Sequence, residues 1–239
     1  MPEKRHNRPL LFLTVPVALL LLFDGYYFFI RRGVWPGFYV QQLLARPEDN
    51  FTRSRIYNDL YEEYRQLNTR NKFDSLIVFA GDSITKGFNV QEFAGSNRIV
   101  NRGIFHDTTR GLLERLDTNI NNLKIGKLFV MIGYNDLGFR SDEEIVRNIG
   151  DILARSKAKK IYLQSFLPVS SDRKGTNERI LHINEQLKAL ALDKGYVYVD
   201  VHAYFAYGRN GIDPRLTTDG VHPNYLGYQL WYSVIQPLL

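Results

Sequence analysis

The chain has no cysteine among its 239 residues. That excludes disulfide bonds, thiolate metal sites and a cysteine nucleophile, although it leaves an oxidising compartment open. The phosphate-loop spacing G-x-x-x-x-G-K-[ST] is absent, so Gly81 to Gly87 is not a nucleotide loop. There is no internal repeat and no low-complexity tract. Basic residues exceed acidic ones, 31 against 25, for a net charge of +6. No dense Lys/Arg stripe with interleaved aromatics accompanies that excess, which weighs against nucleic-acid binding. Half of it, +3, comes from residues 1–35, where Lys4, Arg5, Arg8, Arg31 and Arg32 face only Glu3 and Asp24. Apolar content of 44% and charged content of 23% are ordinary for a globular protein. The length suits one compact domain with an appendage.

The appendage is N-terminal. Leu10 to Ile30 contains one charged residue, Asp24, and is long enough to cross a bilayer as a helix. Basic residues flank it on both sides, and Tyr26, Tyr27 and Trp35 suit an interface. A signal peptide with Leu10–Phe23 as its apolar core is a rival, but no A-x-A-like cleavage site follows. A buried core helix is another, but Leu19–Phe23 has no polar face. The expectation is an uncleaved single-pass anchor in residues 1–33, with Asp24 near its end, where a charge costs least. Lys4, Arg5 and Arg8 before the span nearly balance Arg31, Arg32 and Arg46 after it, so charge does not orient it. A short leading tail and a long body favour an extracytoplasmic body.

Residues 34–72 read as a linker and lead-in helix. Thr52 or Ser54 is placed to cap a helix running to about Asn68, with Ile56, Leu60, Tyr64 and Leu67 at helical spacing. From residue 73 to 239 the pattern alternates. Apolar runs at Leu76–Ala80, Arg98–Val100, Leu128–Ile132, Lys160–Ser165 and Tyr196–Val199 read as strands. Helical stretches lie near Asp107–Leu123, Asp142–Ala154 and Asn177–Leu192, and Asn224–Val234 closes the chain. Such alternation implies an α/β fold with a parallel sheet covered on both faces. Ligands then bind outside the carboxyl ends of the strands.

Candidate chemistry falls at those strand ends. Ser83 follows the first strand, Asn101-Arg102-Gly103 the second and Gly133-Tyr134-Asn135-Asp136 the third, and Asp219 and His222 come after the last. A serine needs a base, and the base works best when a third group orients it. His222 suits the base and Asp219 the orienting carboxylate. Ser83 alone equally suits a helix cap, and Asp219-Gly220-Val221-His222 alone equally suits a surface turn. G-x-S-x-G is absent, so the nucleophile elbow of the α/β-hydrolases is not present. Gly103, Asn135 and the Ser83 N–H are candidate oxyanion donors, each worth about 3 kcal/mol in acyl transfer. The plainer readings are a tight turn for Gly103 and an Asx-turn for Asn135.

Gly81-Asp82-Ser83-Ile84, Asn101-Arg102-Gly103, Gly133-Tyr134-Asn135-Asp136 and Asp219-Gly220-Val221-His222-Pro223 together resemble the four sequence blocks of the SGNH/GDSL hydrolases, in the same order. The resemblance covers residues 73–239. It implies a flavodoxin-like three-layer α/β/α sandwich and a Ser83–His222–Asp219 triad. It also implies an oxyanion hole from Ser83, Gly103 and Asn135, and no metal or organic cofactor. One departure is His106, where many relatives carry a small residue; an exposed, harmless side chain is the plainer reading. Asp200 and His202 form a D-x-H pair without a third ligand, so no metal site is expected. His182 and the aromatics Phe73, Phe79, Tyr196 and Tyr198 are expected to be structural.

The reading is a membrane-anchored serine esterase that removes short acyl groups, acetyl above all, from a carbohydrate or cell-envelope glycan. The alternatives are a lipase, lysophospholipase or thioesterase for longer chains, an acyltransferase, and a non-catalytic binding module of the same fold. Nothing in the chain identifies a protein partner.

Overall fold

The computed structural model describes residues 54–170, 175–208 and 211–239. The anchor expected at Leu10–Ile30 lies outside them. Among the described residues no helix is long and apolar enough to cross a membrane.

The order of elements follows the alternation in the sequence. Helix α1 (Arg55–Arg70) leads into β1 (Leu76–Gly81), and two short helices, α2 (Ser83–Lys86) and α3 (Val90–Ala94), connect it to β2 (Ile99–Gly103). Next come α4 (Thr109–Glu114), β3 (Ile125–Met131), α5 (Asp142–Arg155), β4 (Lys160–Gln164), α6 (Thr176–Lys194) and β5 (Val197–Val199). The short α7 (His202–Phe205) and the closing α8 (Tyr225–Ile235) complete the chain. Ser54, not Thr52, caps α1, its hydroxyl accepting the Tyr57 N–H.

Five strands form one parallel sheet in the order β2-β1-β3-β4-β5. This is the flavodoxin-like order, with its topological switch between β1 and β3. Helices α4, α5 and α6 pack in sequence against one another, while α8 packs on α3 and α7. The expected two-sided α/β arrangement is therefore present.

Burial explains why the strands read as apolar runs, since both faces are covered. In-register rings stack across the three central strands. Phe79 lies 4.7 Å from Phe129, and Phe129 lies 4.4 Å from Tyr162, with planes nearly parallel. Phe88 stands edge-on to Phe79 and stacks on the buried Trp231 of α8, whose indole N–H donates to Gln164 Oε1 at 2.7 Å. Phe79 is core, as expected, and Phe73, Tyr196 and Tyr198 pack half-buried against the same core.

One expectation needs correction. The helix expected over Asp107–Leu123 is broken: α4 ends at Glu114, and Leu116–Ile120 forms a π-helical turn. Its wider ring is closed by the Asn121 N–H on the Leu116 carbonyl at 2.8 Å. Helix α1 and the sheet belong to one compact unit. Tyr57 and Tyr64 of α1 are buried with Ile104, just beyond β2. Tyr64 Oη donates to the Gly103 carbonyl at 2.7 Å. The Asn68 side-chain oxygen accepts from Arg102 Nε and Nη2 at 2.9 and 2.6 Å.

Candidate active site

At the carboxyl end of β1 the chain turns straight into α2. Asp82 is the N-cap, its carboxylate accepting the Ile84 N–H at 3.0 Å. Ser83 is therefore the first helical residue, and its N–H is among those a helix start leaves without an intrahelical acceptor. Gly81 lets this turn form tightly, because a side chain there would strike Thr85 and the Met131 carbonyl.

Ser83, His222 and Asp219 come together across 139 residues of sequence. Ser83 Oγ lies 2.9 Å from His222 Nε2. His222 Nδ1 lies 2.7 Å from Asp219 Oδ2. The other carboxylate oxygen, Oδ1, accepts the backbone N–H groups of His222 at 2.8 Å and Val221 at 3.0 Å. Burial alone would raise the Asp219 pKa. The His222 N–H, its imidazole and the Val221 N–H outweigh that and bring the carboxyl down to about 2. The connecting loop is fixed by Gly220, in the left-handed region at φ 82°, and by Thr217 Oγ1 donating to the His222 carbonyl at 2.9 Å. Downstream, Tyr228 Oη donates to the Ile84 carbonyl at 2.9 Å, tying α8 to the helix that begins at the serine.

Asn135 follows β3, so it and Ser83 stand on opposite sides of the switch point. Its amide Nδ2 donates to the Asp107 carbonyl at 2.9 Å. An amide carries two N–H groups, so one is held and one can serve another acceptor. Asp107 ends the turn Ile104–Asp107, closed by its own N–H on the Ile104 carbonyl at 3.2 Å. His106 is the third residue of that turn and is exposed. Its φ of 60° is the only positive value at a non-glycine among the described residues.

Gly103, the remaining candidate oxyanion donor, ends β2, and its N–H donates to Asn101 Oδ1 at 2.8 Å. The absence of a side chain also matters for packing, since a Cβ would press on the Lys86 backbone and stand 2.9 Å from the Asp82 carbonyl. Asn101 also donates through Nδ2 to the carbonyls of Thr85 at 2.6 Å and Phe88 at 2.9 Å. It thereby staples the segment after the serine to β2. Asn101 stood in a recognised block, yet its role depends on two backbone carbonyls that sequence does not reveal.

Beneath this surface lie buried charges that sequence reasoning missed. Arg115 pairs with Asp107 at 2.8 Å, both essentially without solvent contact. Arg140 pairs with Asp136 at 2.7 Å, and Asp136 also accepts from the Thr109 hydroxyl and N–H. Burial, with the nearby carboxylates of Asp107 and Asp136, pushes the Asp82 carboxyl up to about 7. No group of three or more acidic or histidine side chains able to hold a metal occurs among the described residues. His182 pairs with Gln186 on the exposed side of α6.

Comparison with known proteins agrees with this geometry. The sequence pattern of the GDSL-like Lipase/Acylhydrolase family matches residues 79–230. No curated protein matches the chain. Among solved structures, one from Streptococcus pneumoniae, provisionally described as a platelet activating factor, is similar at 28% identity. That likeness covers 85% of this chain and 99% of the other, with a TM-score of 0.71. A provisionally described acylhydrolase from Bacteroides fragilis is also 28% identical, covering 74% of this chain and 94% of that one, with a TM-score of 0.68. An acetylxylan esterase from Geobacillus stearothermophilus shares the fold at 18% identity, covering 70% of this chain and 94% of that one, with a TM-score of 0.56. A serine, an imidazole and a carboxylate converge at the carboxyl edge of a 2-1-3-4-5 parallel sheet, inside a span that matches the family, and so the chain belongs to the GDSL-like lipase/acylhydrolases, a family of esterases.

Proposed function

We propose that this chain is a serine esterase that removes short acyl groups, acetyl above all, from a carbohydrate or cell-envelope glycan. The observation that carries the mechanism is the unbroken line Ser83 Oγ–His222 Nε2, His222 Nδ1–Asp219 Oδ2, at 2.9 and 2.7 Å. In this reading Ser83 attacks the ester carbonyl and passes its proton to His222. Asp219 fixes the tautomer with Nδ1 protonated and stabilises the imidazolium. The Ser83 N–H and the second Asn135 amide N–H receive the oxyanion. His222 then protonates the departing alcohol, and water resolves the acyl-enzyme along the reverse path.

One feature supports a large alcohol: the His222 side chain is 42% exposed, so the leaving-group side is open to a bulky partner. Against this, Phe105 in the Ile104–Asp107 turn and Tyr225 at the start of α8 expose apolar surface, which favours longer acyl chains as the second reading. The anchor expected at Leu10–Ile30, with an extracytoplasmic body, belongs to the same proposal and rests on the apolar run alone.

Hydrolysis of p-nitrophenyl acetate against p-nitrophenyl palmitate by the full chain and its Ser83→Ala variant tests the reading. Ser83-dependent acetate turnover with little palmitate turnover supports it. Preference for palmitate moves the substrate to lipid. Equal activity of the Ser83→Ala variant would sink the mechanism.

A further inference from the structure

We infer that Arg115 is a positioning residue for the esterase reaction, acting through Asp107 on the Asn135 amide. The inference rests on the serine-esterase reading above. Arg115 stands where α4 gives way to the π-helical turn, and only 1% of its side chain is exposed. Such turns recur at functional sites.

The guanidinium reaches three segments that frame the serine. Nε meets Asp107 Oδ2 at 2.8 Å. Nη2 donates to the Arg102 carbonyl at 2.8 Å, at the end of β2, and to the Gly81 carbonyl at 3.3 Å, two residues before Ser83. Asp107 also accepts its neighbour Thr108's N–H on Oδ1 at 3.0 Å, so the carboxylate is held from two sides. The backbone carbonyl of the same residue receives the Asn135 amide at 2.9 Å. Arg115 therefore fixes the residue that fixes the amide.

Stability alone is a weak reason for this arrangement. Buried ion pairs are often matched or bettered by well-packed apolar residues, because desolvation offsets their attraction. Geometry is a stronger reason, since a misplacement of about 1 Å at a reacting centre can cost about 10²-fold in rate. The bonds leave from two separate nitrogens, Nε and Nη2, of one planar group, and the single nitrogen of a lysine ammonium does not reproduce that geometry.

A double-mutant cycle on the full chain tests the coupling, with p-nitrophenyl acetate as substrate. Asn135→Ala is expected to lower kcat by about 10²–10³-fold. Arg115→Lys is expected to lower kcat by about 10–100-fold with KM little changed. If Arg115 acts through the amide, adding Arg115→Lys to Asn135→Ala costs less than about threefold more. Losses that multiply in the double variant, or an Arg115→Lys enzyme with wild-type kcat, would overturn the inference. Asp107→Asn keeps the backbone carbonyl but weakens the grip of Arg115, and it must show the same non-additivity should Arg115→Lys not fold. Fluorophosphonate labelling of Ser83 separates the two levels. Labelling with additive variants removes only the role of Arg115, whereas absence of labelling removes the esterase reading and this inference with it.

Discussion

Asp219 holds His222 at two points, one carboxylate oxygen on the ring Nδ1 at 2.7 Å and the other on the backbone N–H at 2.8 Å. The ring is thus oriented by the residue that also shapes its loop. Asp219→Asn keeps an acceptor for the backbone N–H but offers the ring a neutral amide, whose N–H favours the tautomer with Nδ1 unprotonated. It is expected to lower kcat by about 10³–10⁴-fold. Steady-state kinetics should show this with a near-native circular dichroism spectrum.

The same carboxylate gives a pH dependence. Its folded pKa of about 2 lies below the unfolded value near 4. The stabilisation is therefore complete above about pH 4 and is lost as pH falls from there toward 2. Thermal melts of the wild type and Asp219→Asn should converge over that window.

Asp82 has the opposite sign. Its folded pKa of about 7 exceeds the unfolded value near 4. Between those values the unfolded chain ionises while the folded one stays protonated, so stability falls as pH rises from about 4 to about 7. Asp82→Asn keeps an acceptor for the Ile84 N–H and removes this slope. Tm measured at pH 5 and pH 8 should fall less in the variant than in the wild type.

Tyr64→Phe leaves the buried Gly103 carbonyl without its 2.7 Å donor. The expected loss is about 1–3 kcal/mol, or a fall in Tm of roughly 2–10 °C for a domain of this size. Calorimetry measures it directly, and a chain shortened to begin at residue 73 should lose more, because Ile104 is then uncovered.

Gly103→Ala tests the close packing at that position. The added methyl presses on the Lys86 backbone and costs about 1–3 kcal/mol by overpacking. It should also displace α2, and with it Ser83, so kcat is expected to fall more than about tenfold. A variant with both Tm and kcat unchanged would contradict this account.

The fold and the reacting residues were legible because both depend on short patterns. Leu76–Gly81 and its fellow strands are apolar runs, and Ser83, Asp219 and His222 sit in compact blocks behind them. What was not legible depends on bonds from side chains to distant backbone. Tyr64 reaches Gly103 across 39 residues, and Arg115 reaches Gly81 across 34. Neither partner is a residue type, only a carbonyl, and carbonyls leave no mark in a sequence. The break after Glu114 was hidden for another reason, since a π-helical turn keeps apolar residues such as Leu116 and Ile120 near helical spacing.

Helix α1 precedes the span that matches the family, yet it grips the end of β2 through Tyr64 and Asn68. Among the described residues, α1 is therefore joined to the sheet twice, once by the chain that runs on into β1 and once by side-chain bonds onto the end of β2.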